Sequence, residues 1–261
     1  MKIAIIGAGA MGGSFAEGLL HSDLFQPSDI TIANPHSDKL DRFASLGASV
    51  TTDNVAAVHQ ADIVALVVKP WLIETVIKEL KPVLDYKRQV IINMAAAIKA
   101  HTLLEWLDKE GQQPQLFQVI PNIAIAQRCS MTFIVPCGAD DEQTVSIKTI
   151  FDDLGQSIIT DEAHLSAGTT LASCGIAYAM RYVRAASEGG VELGFKAEEA
   201  KDIVLQTMKG AVALLQATGW HPEAAIDCVT TPGGLTIKGL NEMERQGFSR
   251  AIVSGLMAGK G

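Results

Sequence analysis

The stretch "KIAIIGAGAMGG" at the amino end constrains this chain more than any other. A β-branched run over residues 2–6 leads directly into Gly7, Gly9 and Gly12, spaced G-x-G-x-x-G, and a helical pattern then runs to about Leu20. The first glycine permits a tight turn out of the strand. The second lets a ligand phosphate approach the backbone, and the third lets helix and strand pack closely. Unpaired N–H groups at the helix start would then face a pyrophosphate. The chain therefore begins as a strand–turn–helix unit that binds a dinucleotide. A secretory leader is the weaker reading, because the apolar run is short, ends in glycines and is soon followed by Glu17.

Six further β-branched runs follow, at residues 29–33, 63–68, 89–93, 116–120, 131–135 and 157–159, with helical patterns between most of them. Strands alternating with helices give a mainly parallel sheet, so residues 1–160 read as a Rossmann-type α/β domain. After Pro136 no proline appears until Pro222, and residues 161–261 read as an all-helical domain interrupted at Pro232-Gly233-Gly234. In that half Val183, Val191, Val204, Leu205, Val212 and Leu215 are too many apolar positions for one small bundle to bury. An interface is expected there, giving a homodimer or a higher multiple of dimers.

The 261 residues carry a net charge of −8, with acidic groups spread along the chain, which argues against nucleic-acid partners. The longest near-apolar run, 165–180, contains Ser166, Thr169, Thr170 and Ser173 and reads as a buried helix, not a membrane span. Cys129, Cys137, Cys174 and Cys228 form no CxxC pair, and the histidines show no ligand spacing, so no metal is expected. Buried free thiols in a reducing, cytoplasmic compartment follow. Tyr178 reads as a core tyrosine, while His101 and His164 read as polar residues at helix starts.

The second strand ends at "IANPHSDK", where an acidic residue commonly holds an NAD ribose. Here Asn34 takes that place, followed by His36, Ser37 and Lys39, which can donate to a 2′-phosphate. NADPH is favoured as cofactor, with NADH possible. Near the carboxyl end, "VTTPGGLTIKGL" (229–240) sets a Pro-Gly-Gly break among threonines, without carboxylate or histidine. Backbone N–H groups of such a turn can bind a carboxylate, and Gly233 and Gly234 permit unusual dihedrals and close approach.

Taken in order, the glycine loop, Asp53-Asn54, "VALVVKP" (64–70), "NMAAAI" (93–98), "IPN" (120–122) and "TTPGGLTIKGL" resemble pyrroline-5-carboxylate reductase over nearly the whole chain. The resemblance implies that Met11, Ala10 and the glycine loop cover the pyrophosphate and that Asn54 meets the adenosine ribose. It implies that Val68, Lys69 and Pro70 border the nicotinamide ribose, with Ala95 and Ala96 beside them. Glu162, Thr231, Gly234, Leu235 and Thr236 would line a pocket for a cyclic imino acid. The helical domain would pair with that of a second subunit, so each site could draw on two chains.

The implied activity is NADPH-dependent reduction of 1-pyrroline-5-carboxylate to L-proline, the last step of proline biosynthesis. Thr236 would hydrogen-bond the ring nitrogen, and no acid–base dyad is needed to position two reactants. The chain departs from the family where "ASCGIAY" (172–178) replaces Ser-Gly-Ser-Gly-Pro-Ala-Tyr, and Ile176 lets a helix run backwards where proline would fix its start. Ala97 replaces a usual glycine, and "IPNI" replaces Met-Pro-Asn-Thr. These changes surround the implied substrate pocket. They keep two alternatives in view, a related imine or keto-acid reductase with an altered pocket and a non-catalytic NADP-binding regulatory homologue.

Overall fold

The structure is a computed structural model, which describes residues 1–259. The chain divides into two compact units, the first ending at Cys174 and the second beginning at Gly175.

The first unit is built on one sheet of eight strands, β1 (Ile3–Ile6), β2 (Ile30–Ala33), β3 (Ser49–Thr51), β4 (Ile63–Leu66), β5 (Val90–Asn93), β6 (Gln115–Ile120), β7 (Ser130–Cys137) and β8 (Gly155–Ile159). Their spatial order is β3-β2-β1-β4-β5-β6-β7-β8. All pairs are parallel except β6 with β7. Period-two alternation sends Ile3 and Ile5 to one face and Ala4 and Ile6 to the other. On the first face they meet Phe15 and Leu19 of helix α1 (Ala10–Leu20), Phe43 of α2 (Asp41–Ser45) and Phe151 of α6 (Asp141–Asp153). Phe15 stacks on Phe151 with ring centroids 5.7 Å apart. The other face is covered by Val58 of α3 (Asn54–Val58), Ile77 and Leu80 of α4 (Ile73–Leu80) and Leu103 and Leu107 of α5 (Ala100–Leu107). Helices on both faces of a mainly parallel sheet make this the doubly wound arrangement expected from the strand–helix alternation.

Seven of these strands lie where the sequence predicts them; β3 is the addition. It has three residues, two of them exposed, and sits at the sheet edge, so no apolar alternation marks it. Helix α7 (Glu162–Gly168) packs with the first unit, and helical structure continues through a π-helical turn at Thr169–Cys174 into α8 (Gly175–Glu192). Ile176 does let the helix run backwards.

The second unit holds α8, α9 (Ala197–Thr218), α10 (Pro222–Asp227), α11 (Leu235–Arg245) and α12 (Phe248–Ala258). Helix α9 is capped by Lys196, with Glu199 reaching back to the Lys196 N–H, and stops at left-handed Gly219. Ala200, 2% exposed, is the single buried residue of this unit among those described. None of the six aliphatic residues taken above as interface candidates is buried.

Three expectations are corrected here. The run 165–180 is not one buried helix, because it spans the end of α7, the π-helical turn and the start of α8, and only Gly168 and Thr170 in it are buried within the chain. Tyr178 is 40% exposed, not a core residue. Of the cysteines, all free, only Cys137 is buried; Cys129 and Cys228 are exposed and Cys174 lies half-buried. A hydrophobic pattern marks a face that avoids water, and it does not say whether the cover comes from the same chain. No described helix is long and apolar enough to cross a membrane.

Candidate active site

The strand order changes direction between β1 and β4, and the segments leaving the carboxyl ends of β1 to β5 carry the cofactor candidates. Gly7 leaves β1 at φ 110°, donates its N–H to Ala33 O at 2.8 Å, and leaves no room for a side chain, since a Cβ would lie 2.7 Å from Val67 O. At Gly12 a Cβ would lie 1.9 Å from Gly7 O, so this glycine lets α1 close on the strand. Gly9 differs, because a Cβ there would meet nothing within 4 Å. Its freedom serves the open side, where a ligand approaches. Gly9 caps α1 without any side-chain hydrogen bond, and no acidic residue occupies the first turn. Ala10 is exposed and Met11 half-buried at that turn. An uncapped, acid-free helix start fits a phosphate anion.

Asn34 is buried and acts inward. Its Oδ1 accepts the Ala8 N–H at 3.1 Å, and its Nδ2 donates to His36 O at 3.0 Å. It thereby ties the β2 end to the glycine loop. His36, Ser37 and Lys39 are exposed beside it, Ser37 and Lys39 in a 3₁₀ turn. Asp38 sits in the same turn and tempers its positive charge. Asn54 opens α3 and donates Nδ2 to Glu79 Oε2 at 3.0 Å, while Asp53 caps the helix by accepting from Val55 N and Ala56 N. Val68 borders the glycine loop, with Cγ1 3.0 Å from a Cβ built on Gly7. Lys69 is exposed and caps the 3₁₀ turn Pro70–Leu72.

After β5, Ala95 is buried and Ala96 exposed, and Ala97 takes a left-handed φ of 64°. Glu162 is already engaged, its Oε1 accepting the Ala100 N–H at 2.8 Å at the start of α5. Nearby, burial pushes the Cys137 thiol up to about 11, a backbone N–H of Gln118 pulls it partly back, and the Glu162 charge adds a smaller rise. Gln118 itself was missed by motif reading. A polar residue in the strand "QLFQVI", at the centre of the buried and otherwise apolar run 116–120, is the signal that marks it.

In the second unit, Thr231 O accepts the Gly234 N–H at 2.9 Å, with Pro232 and Gly233 between them and Gly233 at φ 71°. This is the pattern of a type II turn, which demands positive φ at its third residue. The positive φ thus falls on Gly233 alone. Gly234 has φ −66° and caps α11, and a Cβ there would lie 2.5 Å from Thr231 Oγ1. Leu235 is 87% exposed and Thr236 exposed at the first turn of α11, which again has no side-chain cap and no acid. No group of three or more His, Cys, Asp or Glu among the described residues could hold a metal ion.

Comparisons with known proteins reach both units. A family model described as pyrroline-5-carboxylate reductase dimerisation matches residues 162–260, and one described as NADP oxidoreductase coenzyme F420-dependent matches residues 2–97. The pyrroline-5-carboxylate reductase of Arabidopsis thaliana is 32% identical, over 98% of this chain and 92% of that protein. Pyrroline-5-carboxylate reductase 1 of Dictyostelium discoideum is 34% identical over 98% of this chain, which spans 48% of that relative's length. A solved pyrroline-5-carboxylate reductase from Coxiella burnetii has a TM-score of 0.86 at 27% identity and covers 99% of this chain and 95% of its own. With likeness of this extent running through both units, the chain belongs to the pyrroline-5-carboxylate reductase family.

Proposed function

We propose that this chain reduces 1-pyrroline-5-carboxylate to L-proline with NADPH, as the last step of proline biosynthesis. One observation carries the reading. Two helices, α1 and α11, begin on an extended glycine with no side-chain cap and no acid in the first turn; α12 also begins on a glycine, but a left-handed one. The first follows a strand and suits a pyrophosphate; the second follows a Pro-Gly-Gly turn and suits a carboxylate. In this reading Gly7, Gly9, Ala10, Met11 and Gly12 hold the pyrophosphate, and His36, Ser37 and Lys39 meet the 2′-phosphate. Asn54 meets the adenosine ribose, and Asn34 orients the glycine loop from behind. Val68, Lys69, Pro70, Ala95 and Ala96 wall the nicotinamide end.

Bound NADPH supplies a hydride to the imine carbon. The protein's part is placement. N–H groups of Leu235 and Thr236 take the substrate carboxylate, Gly234 keeps the approach open, and Thr231 braces the turn. Thr236 Oγ1 hydrogen-bonds the ring nitrogen, which keeps its proton as the carbon accepts hydride. Glu162 supports the nicotinamide wall through Ala100. Residues 161–261 form the dimerisation and substrate domain of a cytoplasmic homodimer or multiple of dimers, each site completed by two chains.

Purified protein given NADPH and 1-pyrroline-5-carboxylate should form proline, and the gene should rescue a proline auxotroph. Protein that binds NADPH but turns over no imine at any pH would favour the regulatory homologue. The altered "ASCGIAY" segment, part of it in the π-helical turn, is the observation that keeps this second reading.

A further inference from the structure

The loop after β5 is gripped at three points by side chains from three elements. Asn93 accepts the Ala95 N–H on Oδ1 at 3.2 Å and donates Nδ2 to Ala95 O at 2.9 Å. Gln118 of β6 donates Nε2 to Ile98 O at 2.6 Å. Glu162 of α7 accepts the Ala100 N–H at 2.8 Å. Between the first two grips lies Ala97 at φ 64°, a conformation that the alanine Cβ disfavours and glycine adopts freely. Something outside Ala97 must therefore keep it there.

Gln118 lies opposite Asn93 across the β5–β6 pair and is 2% exposed. Its Oε1 meets no hydrogen-bond donor among the described residues. For stability alone an amide so placed is a poor choice, because a buried acceptor without a partner costs free energy that an apolar side chain of similar size would not. Its one productive side-chain bond is to the carbonyl next to the strained alanine.

We propose that Gln118 is a positioning residue. Through the Ile98 carbonyl it holds Ala97 left-handed and so fixes Ala95 and Ala96 against the nicotinamide. The inference rests on the reading of Ala95 and Ala96 given under the proposed function. Gln118 touches no reacting atom. It sets where the wall stands, so its loss misplaces the nicotinamide end and leaves the pyrophosphate contacts intact.

The test is Gln118→Leu, which removes the donor at similar volume. Turnover should fall about tenfold, the worth of one hydrogen bond of this kind, with NADPH affinity within about threefold. The melting temperature should hold or rise, because an unpaired buried acceptor goes too. In cofactor-free protein, amide exchange at Ala95 and Ala100 should quicken. The turnover loss should shrink when Gln118→Leu is made in an Ala97→Gly background, since glycine keeps the left-handed conformation without help. Unchanged exchange and turnover overturn the proposal. So does a melting temperature that falls in step with turnover, or a loss equally large in the Ala97→Gly background. A wild-type chain that binds no NADPH rejects the reading of the site and the nicotinamide part of this proposal. Exchange in the cofactor-free protein would still decide whether Gln118 clamps the loop.

Discussion

The two units differ in where their cores lie. In the first, helices of the same chain cover both faces of the central strands, and Phe15, Phe43, Phe117 and Phe151 are fully buried, while the edge strands β3 and β8 stay partly exposed. In the second, five helices bury Ala200 and little else, while Leu193, Val212, Leu235 and Met257 stand exposed. Both read as apolar in sequence. The first buries a continuous apolar core within the chain, and the second leaves most of its apolar side chains open. A helical unit of this size without a buried core has little of its own to offset the entropy of ordering. Its helices carry sound local signals and touch within the chain where Gly190 of α8 meets Ala200 of α9 and Tyr182 meets Phe248, but these contacts bury little.

The strongest way to break this comparison is to charge the open face. Val212→Asp puts an unpaired carboxylate where a second helical unit would pack, at a cost of about 3–5 kcal/mol for a buried uncompensated charge. Light scattering at micromolar concentration should show the variant as monomer. Turnover should drop by about a hundredfold or more, if each site needs two chains, on the same energy scale. NADPH affinity should barely move, because every residue proposed to hold the pyrophosphate lies in the sealed unit. A variant that stays dimeric shows that Val212 faces water in the assembly and that the partner covers another surface.

The next test acts within the second unit but on chemistry. Thr236→Val removes the hydroxyl proposed to meet the ring nitrogen. Losing a hydrogen bond to a charged partner costs about 1.5–3 kcal/mol, or roughly ten- to a hundredfold in turnover, with assembly and NADPH affinity kept. Gly234→Val should be worse, because its Cβ would lie 2.5 Å from Thr231 Oγ1 as well as closing the approach to the carboxylate. Its damage is steric, since the positive φ belongs to Gly233. Steady-state kinetics beside a fluorescence titration of NADPH separates these outcomes. A Thr236→Val enzyme with normal turnover removes this residue from the mechanism.

What could be read from the sequence follows the same division. The glycine loop was legible because each glycine answers a local demand, and the structure places a clash or an opening at each one. Strands were legible where both faces are buried, and β3 was not, being short and half polar. The helical character of the second unit was legible from its sequence pattern, and α9 carries capping chemistry at both ends. The burial of α8 was misjudged, and Tyr178 with it, because periodicity reports a face and not its cover. At the site, Asn34 looked like a ligand donor from its position, and the structure turns both ends of its amide toward the backbone. Gln118 carried no motif at all. Its role appears only when β6 is laid beside β5, and that juxtaposition is a property of topology.

A smaller effect is expected at the rim of the sealed unit. Replacing Ser37 and Lys39 together by alanine should weaken NADPH by about three- to fivefold, as exposed charge contacts contribute up to about 1 kcal/mol, and leave NADH unchanged. Asp38 in the same turn keeps the effect modest. The difference should fade as salt rises, since exposed charges are screened. Titrations of both nucleotides at low and high salt check it. Equal loss for NADPH and NADH would mean that the turn supports the fold and does not read the 2′-phosphate.

The smallest effect tests whether the first unit truly needs no partner. Cys137 is buried in its core and its thiol is pushed up to about 11 from 9.0, so at pH 8 it carries about a hundredth of the thiolate of an ordinary cysteine. A raised value keeps the thiol protonated below it, so labelling of Cys137 should stay slow at pH 8 and rise about tenfold for each step of one in pH toward 11. Cys129, exposed on the same unit, should react first. If the sheet and its helices form a complete core, both rates should be the same in wild type and in Val212→Asp, whatever has happened to the assembly. Mass spectrometry of the timed reaction resolves the two sites. Faster labelling of Cys137 in the charged variant would mean that dissociation loosens the sheet. The two units would then share their stability, and the division between a sealed half and a dependent half would fail.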